Sequence, residues 1–256
     1  MAIDAALIQT LEAIQEPGPL LAELDRRFPK RMAIGTSGQL TGCAIIDIAV
    51  KAGLQPRVFT NDTLRLFPET YQLFDAIEKR YGLRIERFTP PEKELARMVE
   101  QHGEFLFFDS KAKQEYCCYV RKVLPNAMAL ETLDVWVTGL RQDQSASRAS
   151  VGRFEIIPHV ADGTPRPILK VAPLAGWTEA AVRAYLKQNN VPVHSLLEKE
   201  LPGGWRFESL GCILCTTPIG PDEPRRAGRW RWFNAQDDKK ECGLHIPGEN
   251  PPDSAA

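Results

Sequence analysis

The sequence predicts an α/β protein: a mostly parallel, twisted sheet with helices on both faces, ending in a mobile C-terminal tail. Two observations carry this. Across the first half, short apolar runs alternate with amphipathic stretches at helical spacing. That rhythm argues for parallel strands joined by crossover helices. From Pro202 onward glycine, proline, arginine and tryptophan dominate and the periodicity fades, as expected where no core organises the chain. The implied division is an α/β domain over residues 1–215 and a tail over 216–256.

Each element has its own signal. Leu7, Leu11 and Ile14 fall at helical spacing near the N-terminus. "KRMAIGTS" reads as a first strand, and the apolar "GCAIIDIAVKAG" as the helix after it. "PRVFTND" is a second strand. In "PETYQLFDAIEKRYG", Tyr71, Phe74, Ile77 and Tyr81 share one helix face. Pro68 suits the first turn of that helix and Gly82 its end. "LRIERFT" is a third strand, with a helix from Pro91 to about Glu100 behind it. "VWVTGL" is a fourth, "RPILKVAPL" continues the chain, and "WTEAAVRAYLKQNN" is a helix with Thr178 as N-cap.

Bulk properties exclude several classes. The 256 residues suffice for a sizeable core. A net charge of −1 gives no support to a nucleic-acid or membrane-surface role. The N-terminus interrupts its apolar residues with acidic ones, unlike a secretory signal. No apolar run reaches membrane-spanning length. These features predict a cytoplasmic protein with no membrane partner, in which six cysteines serve as ligands, catalysts or buried thiols.

"GTSGQLTG", Gly35 to Gly42, joins the first strand to the first helix of this alternation. Small and hydroxyl residues there let backbone N–H groups and the helix N-terminus face an anion. It carries neither a Walker pattern nor a dinucleotide fingerprint. A tight strand-to-helix turn remains the plain alternative.

The cysteines are the sharper signal. Cys117 and Cys118 are adjacent, and Cys212 and Cys215 form a Cys-x-x-Cys pair. Two distant pairs can converge on one metal centre. Adjacent side chains diverge, which suits a cubane with a separate iron for each thiolate better than one tetrahedral zinc. Arg121 and Lys122 follow the first pair closely and could balance the charge of an anionic cluster. Cys43 lies in an apolar stretch and reads as an inert buried thiol. Cys242, in "DDKKECGLHIPGEN", has Lys239, Lys240 and His245 nearby, which favours thiolate. In "TGLRQDQSASRAS", Arg141 and Arg148 suit an anionic ligand at the carboxyl end of the sheet. In "PRRAGRWRW" the arginines read as a sulfate or phosphate clamp, with Arg–Trp packing as the alternative.

Several of these segments together resemble one family. "CC…RK", "TGLRQDQS", "SLGCxxCT", "GRWRW" and "KKECGLH" occur in order, and "FTNDTLRLFPETY" is similar to the family's "DTGRLxPET" segment. The chain resembles assimilatory adenylylsulfate (APS) reductases, within the wider phosphoadenylylsulfate (PAPS) reductase group, from about Lys30 to His245. The resemblance implies a fold related to the ATP pyrophosphatases and one 4Fe-4S cluster on Cys117, Cys118, Cys212 and Cys215. It implies Lys122 between cluster and substrate, with Cys242 as nucleophile and His245 beside it in the catalytic tail. For substrate binding it points to Ser37 and Gly38, to Asp62, Thr63 and Leu64, and to Arg141, Arg148, Arg226 and Arg229. The family's loop commonly reads Ser-x-Ser-Gly-Ala-Glu-Asp. Here Ser37 and Gly38 are kept and the acidic pair is missing.

The implied reaction takes APS to sulfite and AMP through an S-sulfocysteine on Cys242, with thioredoxin or glutaredoxin as reductant. Members with the four cluster cysteines are typically APS reductases, but PAPS, with one more phosphate, stays an alternative substrate. Two rivals fall outside this reading: a substrate-adenylating enzyme of the same fold with structural zinc, and a zinc-stabilised nucleic-acid-binding protein using the Arg–Trp tail. A homo-oligomer is left open.

Overall fold

The computed structural model describes residues 2–161 and 163–233. The chain divides into two compact units. The first comprises Met1–Thr60, Pro68–Glu86 and Leu130–Lys199. The second comprises Asn61–Phe67, Arg87–Ala129 and the chain from Glu200 on. Each is thus assembled from separate stretches of sequence.

The first unit is organised by a six-stranded sheet. Its strands are β1 (Met32–Gly35), β2 (Arg57–Asn61), β3 (Ile85–Phe88), β4 (Val135–Val137), β5 (Phe154–Ala161) and β6 (Thr164–Val171). Their spatial order is β3-β2-β1-β4-β6-β5. β1 runs parallel to β2 and β4, and β4 parallel to β6. β5 is antiparallel, paired with β6 from Phe154↔Val171 to Ala161↔Thr164. The expected mostly parallel sheet is therefore present, with one antiparallel edge that the sequence reading did not pick out. Pro158 hides that strand, because a proline argues against a central strand. Here it lies on the edge, directly opposite Pro167. Two prolines can face each other only at a non-hydrogen-bonded pair, since neither has an N–H. The donor that Pro158 lacks would have pointed to the open edge, where no partner waits.

Helices α1 (Ala5–Glu12), α2 (Pro17–Arg27), α3 (Leu40–Lys51) and α4 (Pro68–Tyr81) accompany this sheet. α3 is buried from Leu40 to Ala49, as an all-round apolar helix must be. Its one carboxylate, Asp47, accepts the hydroxyls of Tyr81 at 2.8 Å and Tyr185 at 2.6 Å and pairs with Lys51 at 3.0 Å. Gly82, at φ +63°, ends α4 in the left-handed region where glycine is favoured.

The second unit holds α5 (Glu92–His102) and α6 (Lys111–Cys118), and α7 (Leu124–Glu131) begins in it. Ser110 caps α6 by accepting the Lys113 N–H at 3.2 Å. Between α6 and α7 the helix does not break but widens into a π-turn over Tyr119–Val123. Such turns concentrate at functional positions.

In the first unit again, α8 (Glu179–Gln188) begins where expected, with the Thr178 hydroxyl accepting the Ala181 N–H at 3.2 Å. Thr178→Ala is expected to cost about 1 kcal/mol of stability and to lower Tm by about 2–4 °C. Scanning calorimetry of the two proteins checks it.

Candidate metal centre and anion-binding turn

The second unit brings all four paired cysteines to one recess. Cys117 and Cys118 end α6, and Cys212 and Cys215 flank a short 3₁₀ turn. All four are buried and none is in a disulfide. They line this recess with Arg65, Arg121 and Lys122 and with Phe107, Gln114 and Trp230. Among the described residues, no three His, Cys, Asp or Glu side chains are placed to hold one metal ion. The thiols surround a space rather than meet at a point.

The π-turn explains how one helix supplies both sulfurs and cations. At 100° per residue, a regular α-helix would place Lys122 about 140° round from Cys117. The i→i+5 hydrogen bonding of the π-turn brings residue 122 back toward that face. Cys117, Cys118, Arg121 and Lys122 accordingly border the same recess.

Polar groups at the recess divide into satisfied and unsatisfied. Gln114 Nε2 donates to Cys118 Sγ at 3.2 Å, and Cys212 Sγ donates to Thr63 Oγ1 at 3.3 Å. Arg65 is occupied by Glu104, through its carbonyl at 2.8 Å and its carboxylate at 3.0 Å. Arg121 donates one Nη to the Thr63 carbonyl at 2.9 Å. Its Nε has no partner, nor has Trp230 Nε1, and both are buried N–H donors. Buried donors are nearly always paired, so these two mark room for an acceptor. Trp230 also has φ +45°, a left-handed backbone that is strained for a bulky residue.

Burial is the largest cause of the shifts at Cys215 and Cys117. It pushes Cys215 up to about 12, reinforced by Cys212, and raises Cys117 in the same order of causes. Burial lowers Arg121, and the neighbouring Arg65 lowers it further. Cys43 is pushed up to about 12 by burial alone, as an inert thiol should be.

The loop Asp62–Leu64 is built into the second unit. Asp62 Oδ1 accepts the Leu64 N–H at 2.9 Å, and Thr63 Oγ1 accepts the Arg65 N–H at 3.2 Å. Leu64 is exposed and left-handed at φ +57°. Arg229 is buried. It donates to the Leu210 carbonyl at 3.0 Å and stacks on the Trp230 ring at 4.8 Å, with its Nε unpartnered. It lies so close to Gly211 that a Cβ there would meet its guanidinium at 2.3–2.5 Å. Arg226 donates to Ser209 Oγ at 3.4 Å. Arg231 is held by Glu223 at 2.5 Å and stacks on Trp205, so part of the Arg–Trp run is packing. Cys242 and His245 lie outside the described residues.

In the first unit, β1 and β4 are adjacent and parallel, so the turns after them share the carboxyl end of the sheet. Gly38 is left-handed at φ +72°, and its N–H donates to Thr36 Oγ1 at 3.2 Å. Ser37 is exposed beside it. In the second turn, Arg148 donates to Gln144 Oε1 at 2.5 Å. Arg141 is buried among acceptors, with Asp143 at 2.9 Å and Glu179 at 3.4 Å.

Sequence reasoning missed Arg65, Phe107, Gln114 and Trp230 as lining residues. Gln114 was within reach, because it precedes Cys118 by one helical turn. Phe107 and Arg65 carry no local signal.

Comparison with known proteins gives a concordant picture. A model of the phosphoadenosine phosphosulfate reductase domain matches residues 31–218. An adenosine 5'-phosphosulfate reductase of Rhizobium tropici is 43% identical over 187 residues, covering 73% of this chain and 96% of the relative. One from Burkholderia cepacia is 38% identical over 245 residues, covering 94% and 88%. Among solved structures, a phosphoadenylyl-sulfate reductase from Candida auris superposes with a TM-score of 0.64 at 24% identity, over 86% of this chain and 99% of that one. An FMN adenylyltransferase from Candida glabrata superposes at 0.54 with 14% identity, over 85% and 69%. These two likenesses show the fold alone, and that fold is the expected ATP pyrophosphatase-like one. With a matching domain model across most of its length and relatives above 30% identity, the chain belongs to the phosphoadenosine phosphosulfate reductase family of oxidoreductases acting on sulfur.

Proposed function

We propose that this chain reduces adenylylsulfate to sulfite and AMP, with a protein dithiol as reductant. The observation that carries the reading is the meeting of Cys117, Cys118, Cys212 and Cys215 at one recess in a chain of this family. The residues fit a 4Fe-4S cluster there. Four thiols line one recess, and two buried N–H donors there lack the acceptors that sulfide or thiolate sulfur would supply. When bound, the cluster supplies a compact anionic group, and Arg121 and Lys122 offset its charge.

The chemistry belongs to the side chains. The Cys242 thiolate attacks the sulfonyl sulfur of adenylylsulfate, and the sulfur–oxygen bond to AMP breaks. AMP leaves with that electron pair, and Cys242 becomes an S-sulfocysteine. A thiolate of thioredoxin or glutaredoxin then attacks Cys242 Sγ, and sulfite leaves with the electrons of the sulfur–sulfur bond. The partner's second thiol closes its own disulfide and frees Cys242. His245 sits three residues on, suited to hold or pass the thiol proton. Lys122, Arg226 and Arg229 supply positive charge against the phosphate and sulfo oxygens. In the second unit, Asp62, Thr63 and Leu64 offer substrate-binding groups. In the first unit, Ser37, Gly38 and Arg148 offer anion-binding groups.

Anaerobic purification with metal analysis, then sulfite assays with APS and PAPS, tests the reading. Brown protein with about four irons per chain and sulfite from APS plus reduced thioredoxin is the expected result. Colourless zinc protein inert toward both nucleotides would sink it, and a preference for PAPS would move the substrate assignment. Gly211→Ala probes Arg229 separately. Its Cβ would expel the guanidinium, and losing one charge-assisted contact is expected to raise KM about tenfold with iron content unchanged. Steady-state kinetics and iron assay on one preparation read both.

A further inference from the structure

We propose that Arg141 is a positioning residue for the anion-binding turn of the first unit, not a ligand of the anion. The proposal relies on the nucleotide reading only for what that turn binds.

Arg141 is 2% exposed, and each of its three guanidinium nitrogens has an acceptor. Nε donates to Asp143 Oδ1 at 2.9 Å, Nη2 to Glu179 Oε2 at 3.4 Å, and Nη1 to Thr41 Oγ1. These acceptors lie on three segments: the turn after β4, the first turn of α8 and the first turn of α3. The other oxygen of Asp143 accepts the Glu179 N–H at 2.6 Å. The Arg141 N–H donates to Gln144 Oε1 at 3.1 Å, and Gln144 Nε2 donates to the Gly139 carbonyl at 3.0 Å. A Cβ on Gly139 would lie 3.2 Å from the Gly42 N, so the turn after β4 rests directly on α3. One guanidinium thus ties the helix that opens the Thr36–Gln39 turn to two neighbouring segments.

Charge points the same way. Two carboxylates face one guanidinium in a buried place, so an arriving phosphate would compete with anions already in contact. At Arg121 and Arg229 a buried Nε has no partner, whereas every guanidinium nitrogen of Arg141 has one. A lysine preserves the charge but cannot serve three acceptors in the plane of a fork.

The test compares adenosine with AMP, which differ by the phosphate, using calorimetric titration and melting of the unliganded full chain. For a positioning role, Arg141→Lys lowers Tm without ligand by several degrees and weakens AMP about tenfold, more than adenosine, because the displaced turn is the part that meets the phosphate. Thr41→Val, which removes an acceptor of Arg141 and no cation, reproduces both effects, and Thr41→Ser, which keeps the hydroxyl, does not. Asp143→Asn also lowers Tm and weakens AMP. The proposal is overturned if Arg141→Lys melts like the parent while losing AMP, if Thr41→Val leaves AMP binding unchanged, or if Asp143→Asn tightens AMP. Should Arg141→Lys fail to fold, the Thr41 pair and Asp143→Asn decide. A parent chain that binds neither ligand defeats the nucleotide reading, and the unliganded melting of the Thr41 pair then decides the role of Arg141.

Discussion

Cys212→Ser is expected to strip most of the iron and to cost at least about a hundredfold in sulfite formation. The serine oxygen is a harder, poorer ligand for iron than thiolate. Cys212 also donates to Thr63, whose carbonyl holds Arg121, so its loss loosens the ordered wall of the recess. Circular dichroism should stay close to the parent, because the sheet belongs to the other unit. Iron and acid-labile sulfide assays beside the sulfite assay give the result. Undiminished turnover in iron-free protein would remove the cluster from the function.

The second large effect is expected at Cys242. Cys242→Ser should lower sulfite release by at least about 10⁴-fold, since removing a nucleophile costs at least that in enzymes where it has been done. Brown colour and AMP affinity should be unchanged, because the serine still fits and the four buried cysteines are untouched. Incubation of the parent with adenylylsulfate alone should leave an intact mass increased by one sulfo group. The serine variant should show no such adduct. Full activity in the serine variant would place the nucleophile elsewhere.

Much of this protein can be read along the chain. β1 to β4, α3 to α5 and α8 carry their own periodicity and end signals, and Thr178 caps α8 through its side chain. β5 escaped because a strand containing Pro158 is sensible only once it is known to be an edge. The π-turn escaped because Tyr119–Val123 has the composition of ordinary helix, and the wider turn follows from what borders it. Arg141 and Arg229 look alike in sequence, each one of several arginines in a stretch without regular periodicity. Only packing shows that one has an acceptor at each guanidinium nitrogen, from Asp143, Glu179 and Thr41, while the other keeps an unpaired Nε.

By itself, then, the sequence determined the class of fold, the two cysteine pairs and their family. Those are written in spacing and residue type, and local periodicity depends only on near neighbours. The tertiary structure alone decided that the pairs share a recess, that Arg65 is occupied by Glu104, and which guanidinium groups remain open to a ligand. The physical reason is that hydrogen-bond capacity is spent on partners a hundred residues away, and a buried charge takes its role from whichever groups folding brings against it.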